Sequence, residues 1–322
     1  MPSKDFFWDE IIVPKIRHHY IPQFYLRGFL DSEQENSLWV YDKDLATVFP
    51  ATPFNIACEK HYHSFINEEG ERDTETIEHL YEVIESNTAP ILEKIHANTP
   101  LDEEDKSKFS VFVASMMLRV PNHRKNIEKA VADVMITLEK MLASDKEAFE
   151  ASNEKFLRDT GANQDMSAEE IRQFILSGKY TATTNPQASL SLSVYSIKDM
   201  ANVFYQMNWL FIRATVEHKF LSGDNPLFYF DPIHNPKSFY GVGLMNKHIE
   251  VTLPLSKEIC AFGGWLIPGK YSVVSGKNPL VKDLNRRTVL ATLRYVFASK
   301  NSDTLLRFVT KYKGSAPVFK IS

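Results

Sequence analysis

The sequence predicts an α+β fold, predominantly helical, with a central antiparallel sheet formed mainly by the C-terminal half. Apolar residues recur at helical spacing through most of 74–207, and this periodicity gives way to short strand-like runs over 208–263. Helical patterns return over 278–312. Hydrophobic residues make up 43% of the 322 and charged residues 24%, so the chain has enough apolar surface to bury a sizeable core.

The chain before the helical region is expected to contain an arm and a hairpin. Residues 1–14 are predicted to form a loosely held N-terminal arm that ends at Pro14. The run from Ser37 to Tyr41 has the composition of a strand, and Thr47 to Phe49 could pair with it after a turn that begins at Asp42.

Three helices are predicted next. The first, over 74–97, has acidic residues at its start, where the helix dipole favours them. The second opens with an acidic run after Pro100, and Pro121 should kink or break it. The third covers 122–157 as one long amphipathic helix, whose charged surface could bind a protein partner.

A meander of strands follows the helices. Gly223-Asp224-Asn225-Pro226 is predicted to form a turn between two of these strands. After the strands, residues 283–300 are predicted to return to helix. The predicted strands lie at 209–216, 220–222, 249–254 and 258–262.

Composition and charge limit the function classes. A formal net charge of −4 gives no overall electrostatic footprint for nucleic acid, so such a partner would need a local patch, for example at Arg286-Arg287 or at 123–125. The two cysteines make no disulfide framework, which fits a reducing compartment. Because there is neither a signal-peptide pattern nor a run of ~18 apolar residues, we expect a cytoplasmic protein without membrane association.

Several polar residues near the N-terminus are not required by folding. His18 and His19 are adjacent, so in an extended segment only one of them can face a given site. Gln23 and Arg27 would share a face if that part is helical. Together these groups could bind a phosphate or carboxylate, and a histidine could move a proton near neutral pH. The alternative is that neighbouring aromatic residues anchor the segment and the polar groups hold its backbone.

Two charged residues lie within apolar helical patterns. Glu85 lies inside or beside the apolar stripe of the 74–97 helix, where a carboxylate is either paired or has a raised pKa. Arg119, at the end of the next helix, is its natural partner. The two either form a structural ion pair between packed helices or face one cavity together with His19 and Asp224.

Asp224 and Asn225 follow a predicted buried strand. As turn residues they need no further explanation. Because their turn lies at the end of a strand, where sites are commonly built, Asp224 could instead belong to a site.

The sequence contains no complete metal-binding motif. Cys58, His61 and His63 could supply three zinc ligands, but no fourth is recognisable. The phosphate-binding loops, serine-hydrolase elbow and His-Glu-x-x-His pattern of known enzymes do not occur. A divalent ion could still bind to Glu85 and Asp224 if the two meet.

One string resembles a known family signature. His18-His19-Tyr20-Ile21-Pro22-Gln23-Phe24-Tyr25-Leu26-Arg27-Gly28-Phe29 resembles the N-terminal signature of the family named domain of unknown function 4238 (DUF4238). Further landmarks follow in the expected order, namely Glu85, Arg119 before Pro121, and the Asp224 turn, in which Gly223 stands where the family usually has serine. The likeness covers about residues 15–310 and implies a single family domain over 15–314. The resemblance implies which residues occupy the family's characteristic positions. It implies no activity, because the family has no assigned chemistry.

Two functions fit these residues. In the first, the protein is a hydrolase of phosphodiesters, a nuclease-like toxin or antiviral-defence effector. An N-terminal histidine would act as general acid or base, the arginines would neutralise charge on the phosphate, and the carboxylates would orient the base or hold a divalent ion. In the second, the protein is a non-catalytic module that binds a ligand or a protein through the same polar pocket. The residues assigned to the site are, as catalytic groups, His18, His19, Glu85 and Asp224, and, as substrate-binding groups, Gln23, Arg27, Arg119 and Asn225.

Overall fold

The computed structural model describes residues 16–34, 36–234, 242–268 and 271–314. These residues divide into two compact units, one made of 16–121 and 194–314 and the other of 122–193. The predicted N-terminal arm, 1–14, lies outside the described residues. Within the described ranges, none of the helices combines the length and the apolar character of a membrane span.

Short strands precede and follow a run of helices. The strands are β1 (Arg17–His19), β2 (Leu38–Asp42), β3 (Thr47–Ala51), β4 (Cys58–Lys60), β5 (Phe65–Ile66), β6 (Arg72–Asp73), β7 (Asn208–Arg213), β8 (Ser222–Gly223), β9 (Phe228–Phe230), β10 (Glu250–Pro254), β11 (Ile259–Gly264), β12 (Ser272–Ser275) and β13 (Tyr295–Ala298). The helices are α1 (Gln23–Leu26), α2 (Thr76–His96), α3 (Glu103–Leu118), α4 (Pro121–Ser144), α5 (Lys146–Thr160), α6 (Ala168–Ser177), α7 (Pro186–Tyr195), α8 (Ile197–Gln206), α9 (Asn278–Ala291) and α10 (Asp303–Thr310).

The predicted α+β class is confirmed, because helices predominate and most strand pairs are antiparallel. A five-stranded sheet of order β12-β7-β11-β10-β9 is built from 208–275, in the C-terminal half. Its pairs are antiparallel except that β12 runs parallel to β7. A four-stranded antiparallel sheet of order β3-β2-β13-β8 combines the predicted N-terminal hairpin with two later strands.

Helix α3 links the five-stranded sheet to α2. The Phe109 ring of α3 meets Trp209 and Phe211 of β7 edge-on, with ring centroids 5.4 and 5.6 Å apart, and all three side chains are buried. Helix α2 packs against α3 in turn. The aromatic core of the sheet therefore supports the helix that carries Glu85.

Tyr25 joins the two larger sheets. Its hydroxyl lies 2.7 Å from Ser222 Oγ in β8 and donates to the Pro254 carbonyl oxygen of β10 at 2.6 Å. Burial raises the pKa of this phenol, so it stays a neutral donor. The aromatic part of the N-terminal string thus anchors the string in the core.

Two predicted helices differ from the structure. The single helix over 122–157 is wrong, because Asp145 separates α4 from α5 and its side chain accepts the Ala148 N–H as an N-cap. The helix over 283–300 is also wrong beyond Ala291. The segment 295–298 instead pairs with β2 and β8 as strand β13.

Candidate functional site

The N-terminal string forms β1 and then the short helix α1. Strand β1 pairs with β4, with His18 opposite Glu59 and His19 opposite Cys58. Consecutive strand residues face opposite sides, so His18 is fully buried whereas Arg17 and His19 face outward. The predicted separation of the two histidines is confirmed.

A cavity of about 300 Å³ lies where β1 meets α2 and the end of α3. Its rim includes the exposed Arg17 and Glu82, so solvent reaches it. The lining consists of Ile16, Arg17, His19, Gln23, Phe54, Glu78, Tyr81, Glu82, Glu85 and Arg119. Four of the predicted site residues are brought together here, namely His19, Gln23, Glu85 and Arg119.

Helix α2 contributes three glutamates to the cavity wall. Glu78, Glu82 and Glu85 stand at i, i+4 and i+7, and a helix of 3.6 residues per turn places such positions on one face. The sequence pattern predicted Glu85 as a site residue but not Glu78 or Glu82. Their spacing relative to Glu85 was the pattern that could have revealed them.

Arg119, at the C-terminal cap of α3, holds the parts of the cavity together. Its Nη1 donates to Glu85 Oε1 at 2.9 Å, and its Nη2 donates to the main-chain oxygen of His19 at 2.5 Å. The guanidinium also lies over the Tyr81 ring, 4.1 Å from its centroid. Arg119 is only 2% exposed, so its charge needs these partners. The predicted Glu85–Arg119 ion pair is confirmed, and it forms part of the cavity wall.

Burial shifts two ionisations in the cavity. It raises the pKa of Glu85, against the opposing effect of Arg119. It lowers the pKa of His19, where the hydrogen bond to Phe54 opposes the shift and the charge of Arg17 adds to it. His19 is therefore neutral at neutral pH. Its Nε2 donates to the Phe54 carbonyl oxygen at 3.1 Å, which leaves Nδ1 as the basic nitrogen.

His18 lies behind the cavity wall in a buried polar cluster with His63 and Glu78. The main-chain N–H of His63 donates to His18 Nδ1 at 2.8 Å, and the two rings stack with centroids 5.5 Å apart. His63 Nδ1 is hydrogen-bonded to Glu78 Oε1. One ligating atom from each of the three side chains lies within 4.8 Å of the others, which is close enough to share a metal ion.

The hydrogen bonding of His18 argues against a metal ion in this cluster. Because its Nδ1 accepts a hydrogen bond, neutral His18 carries its proton on Nε2. A metal-binding imidazole instead presents a lone pair to the metal and donates from its other nitrogen. Turning the ring would leave the buried His63 N–H without this acceptor. We therefore interpret the cluster as a hydrogen-bonded support for Glu78.

The three zinc ligands suggested by the sequence have different partners. Cys58 accepts a hydrogen bond from Arg17 Nε at 3.0 Å, and His61 Nδ1 lies 3.2 Å from Ser64 Oγ. His63 belongs to the buried cluster with Glu78. Cys58, His61 and His63 thus form no common site.

Asp224 does not line the cavity. Its carboxylate is buried and accepts the main-chain N–H groups of Leu293, Arg294 and Tyr295 at 2.7, 2.8 and 2.8 Å. Burial raises the pKa of Asp224, and these three hydrogen bonds oppose the shift. The structure therefore does not bring Asp224 to His19. Its three accepted hydrogen bonds hold the segment between α9 and β13 in place.

Asn225 and Arg27 also lie outside the cavity lining. The side-chain amide of Asn225 is buried and donates to the Ala291 carbonyl oxygen at 2.9 Å. Arg27 is exposed in the 3-10 turn that follows α1. Of the predicted substrate-binding residues, only Gln23 and Arg119 reach the cavity.

The fold and the cavity define an α+β protein with a polar site of imidazole, guanidinium and carboxylate groups beside the strand β1. The chain belongs to the family described as "Protein of unknown function (DUF4238)", whose model matches residues 17–302. The family predicted from the sequence is thereby confirmed. No curated protein and no solved structure matches the chain.

Proposed function

We propose that this cavity is the active site of a hydrolase that acts on phosphodiesters. The observation that supports it is the placement of His19, Glu85 and Arg119 in one solvent-reached cavity. An imidazole, a carboxylate and a guanidinium can together move a proton and stabilise negative charge during attack on phosphorus. His19 would accept the proton of the attacking water at Nδ1 as the new bond to phosphorus forms, and the bond from phosphorus to the leaving oxygen would break. The proton would then pass from His19 to the leaving oxygen, while Arg17 at the rim would bind the phosphate.

The charges of the cavity limit how a phosphodiester can bind. In the described part of the lining, three glutamates face two arginines, and Arg119 is already paired with Glu85. An anionic phosphate is therefore expected to need a divalent cation, for which the carboxylate oxygens of Glu78 and Glu82 are suitable ligands. Hydrolysis should then depend on Mg²⁺ or Mn²⁺.

The substrate that we propose is single-stranded RNA or DNA, in the setting of a bacterial toxin or antiviral-defence effector. A cavity of about 300 Å³ admits a single nucleotide unit rather than a duplex. The Arg286-Arg287 patch does not contribute free charge, because Arg287 bonds to Glu250 and Asp283, and Arg286 bonds to Asp283. Substrate affinity is thus expected to come from the cavity rather than from this patch.

A second function is a non-catalytic module that binds a ligand or a protein. The pairing of Glu85 with Arg119 favours it, because the two charges already neutralise each other. Helix α4 also exposes Val134, Leu138 and Met141, which suit a protein partner. Binding without turnover is the behaviour that distinguishes this function.

The test is a cleavage assay on the purified chain. End-labelled single-stranded RNA and DNA are incubated with Mg²⁺, Mn²⁺ or EDTA, using the wild type, His19→Ala and His248→Ala. His248 is a histidine of the same unit outside the cavity lining. Cation-dependent cleavage that His19→Ala loses and His248→Ala keeps supports the hydrolase. Absence of cleavage in every condition, or equal cleavage by all three proteins, rejects it in favour of the binding function.

A further inference from the structure

A second cavity, of about 490 Å³, lies in the same unit and shares no lining residue with the first. Its walls are the connection before β8, one side of α9, the connection after β13, and α10. Its apolar part consists of Phe220, Leu221, Ala298, Leu305 and Phe308. Phe220, Leu221 and Ala298 are buried beneath the cavity, whereas the partly exposed side chains of Leu305 and Phe308 can take the apolar body of a ligand out of water.

The charged groups of this second cavity are mainly positive. Lys282 and Lys300 are exposed and, among the described residues, neither has an acidic partner within ion-pair distance. Lys219 is already paired with Glu258 at 2.8 Å. Among the residues that the structure describes, Glu217 is the one acidic residue of the lining. The cavity thus carries a local positive excess on a chain whose net charge is −4.

Hydrogen bonds hold two walls of the second cavity in place. The side-chain amide of Asn285 donates to the Lys219 carbonyl oxygen and accepts the Leu221 N–H, each at 2.9 Å. The Tyr41 hydroxyl likewise donates to the Lys300 carbonyl oxygen and accepts the Ser302 N–H, each at 2.8 Å. Because its main chain is fixed on both sides, the cavity is preformed, and little ordering is lost when a ligand binds.

We propose that the second cavity binds a small amphipathic anion, an organic carboxylate, sulfonate or phosphate with an aromatic or short alkyl body. The body lies on the Leu305 and Phe308 side chains, and the anionic group pairs with Lys282 and Lys300. Charge and apolar surface complement this one class of ligand. The proposal is independent of the hydrolase function, because it uses none of the residues around His19.

The test uses 8-anilinonaphthalene-1-sulfonate as the anionic probe and N-phenyl-1-naphthylamine as its uncharged counterpart, titrated into the full chain and followed by fluorescence. The double variant Lys282→Glu/Lys300→Glu should weaken sulfonate binding at least about tenfold and leave the uncharged probe almost unaffected. The matched control is Lys60→Glu/Lys247→Glu, which reverses two exposed lysines outside the lining and should change neither probe.

Phe308→Ser should weaken both probes, because it removes part of the apolar wall. Thermal unfolding of each variant shows whether it is folded. If the charge reversal unfolds the chain, Lys282→Gln/Lys300→Gln replaces it in the binding titration. The proposal is overturned by the absence of saturable binding at one site. It is also overturned if both lysine double variants weaken sulfonate binding equally, since that result indicates attraction by overall charge.

Discussion

Arg119 donates a hydrogen bond to the main-chain oxygen of His19 at 2.5 Å, across 100 residues of sequence. The same guanidinium bonds to Glu85 at 2.9 Å. One buried side chain therefore positions both the strand that carries the candidate base and the helix that carries the cavity glutamates. The shape of the cavity depends on this connection.

Arg119→Ala should lower the free energy of unfolding by about 3 kcal/mol, because it leaves the half-buried Glu85 carboxylate and the His19 carbonyl without their donor. Arg119→Lys should lower the free energy of unfolding by less, because lysine keeps the positive charge although it lacks the forked geometry of the guanidinium. Urea unfolding measures both. Arg27→Ala, an exposed arginine of the same string, should change stability by less than about 0.5 kcal/mol. A loss for Arg119→Ala as small as that of Arg27→Ala would contradict the positioning role.

The stability of the protein should rise with pH just below 6.5, partly through His19. Burial lowers the folded-state pKa of His19 from its ordinary value of 6.5. In this window the unfolded chain binds the proton more readily, so the free energy of unfolding increases as pH rises. Urea unfolding between about pH 5 and 7 should show a shallower rise for His19→Gln than for the wild type. Identical slopes would show that His19 keeps its ordinary pKa.

Gly223→Ala should destabilise the protein by about 2 kcal/mol, because a Cβ atom at this position would overlap with Thr292 Oγ1. Gly243→Ala is the matched control, since its Cβ would lie 3.6 Å from Asn246 Oδ1 in ordinary contact. The double variant Gly223→Ala/Thr292→Ala should recover part of the loss. Thermal unfolding measures all three, and equal melting temperatures for the two glycine variants would refute this explanation.

Asp224→Asn should lower the free energy of unfolding by about 3 kcal/mol, because an amide group replaces one oxygen that now faces main-chain donors. The exposed Asp199→Asn is its control and should be near neutral. Chemical unfolding compares the two. If Asp224→Asn were as stable as Asp199→Asn, the carboxylate would not have the structural role described here.

The parts of the site that depend on local geometry could be predicted from the sequence. Alternation along a strand separates His18 from His19 whatever the rest of the chain does. A carboxylate on an apolar helical stripe needs a cation, which is why the pairing of Glu85 with Arg119 could be anticipated. The overall class followed from the same kind of periodicity.

The parts that depend on distant pairing could not be predicted. A turn containing Asp224 looks the same whether the carboxylate faces a ligand or the N–H groups of 293–295, about 70 residues later. Glu78 and Glu82 resemble a solvated helix face until β1 lies beside them. The strand character of 295–298 likewise depends on β2, from the start of the chain.

The rate of phosphodiester cleavage per folded molecule, compared between His19→Ala and Asp224→Asn, tests the assignment of the active site most directly. If the cavity beside β1 is the active site, His19→Ala loses at least about 100-fold in rate. Asp224→Asn should then stay within about threefold of the wild type once its folded fraction is measured. Retained cleavage in His19→Ala together with its loss in folded Asp224→Asn would contradict the assignment.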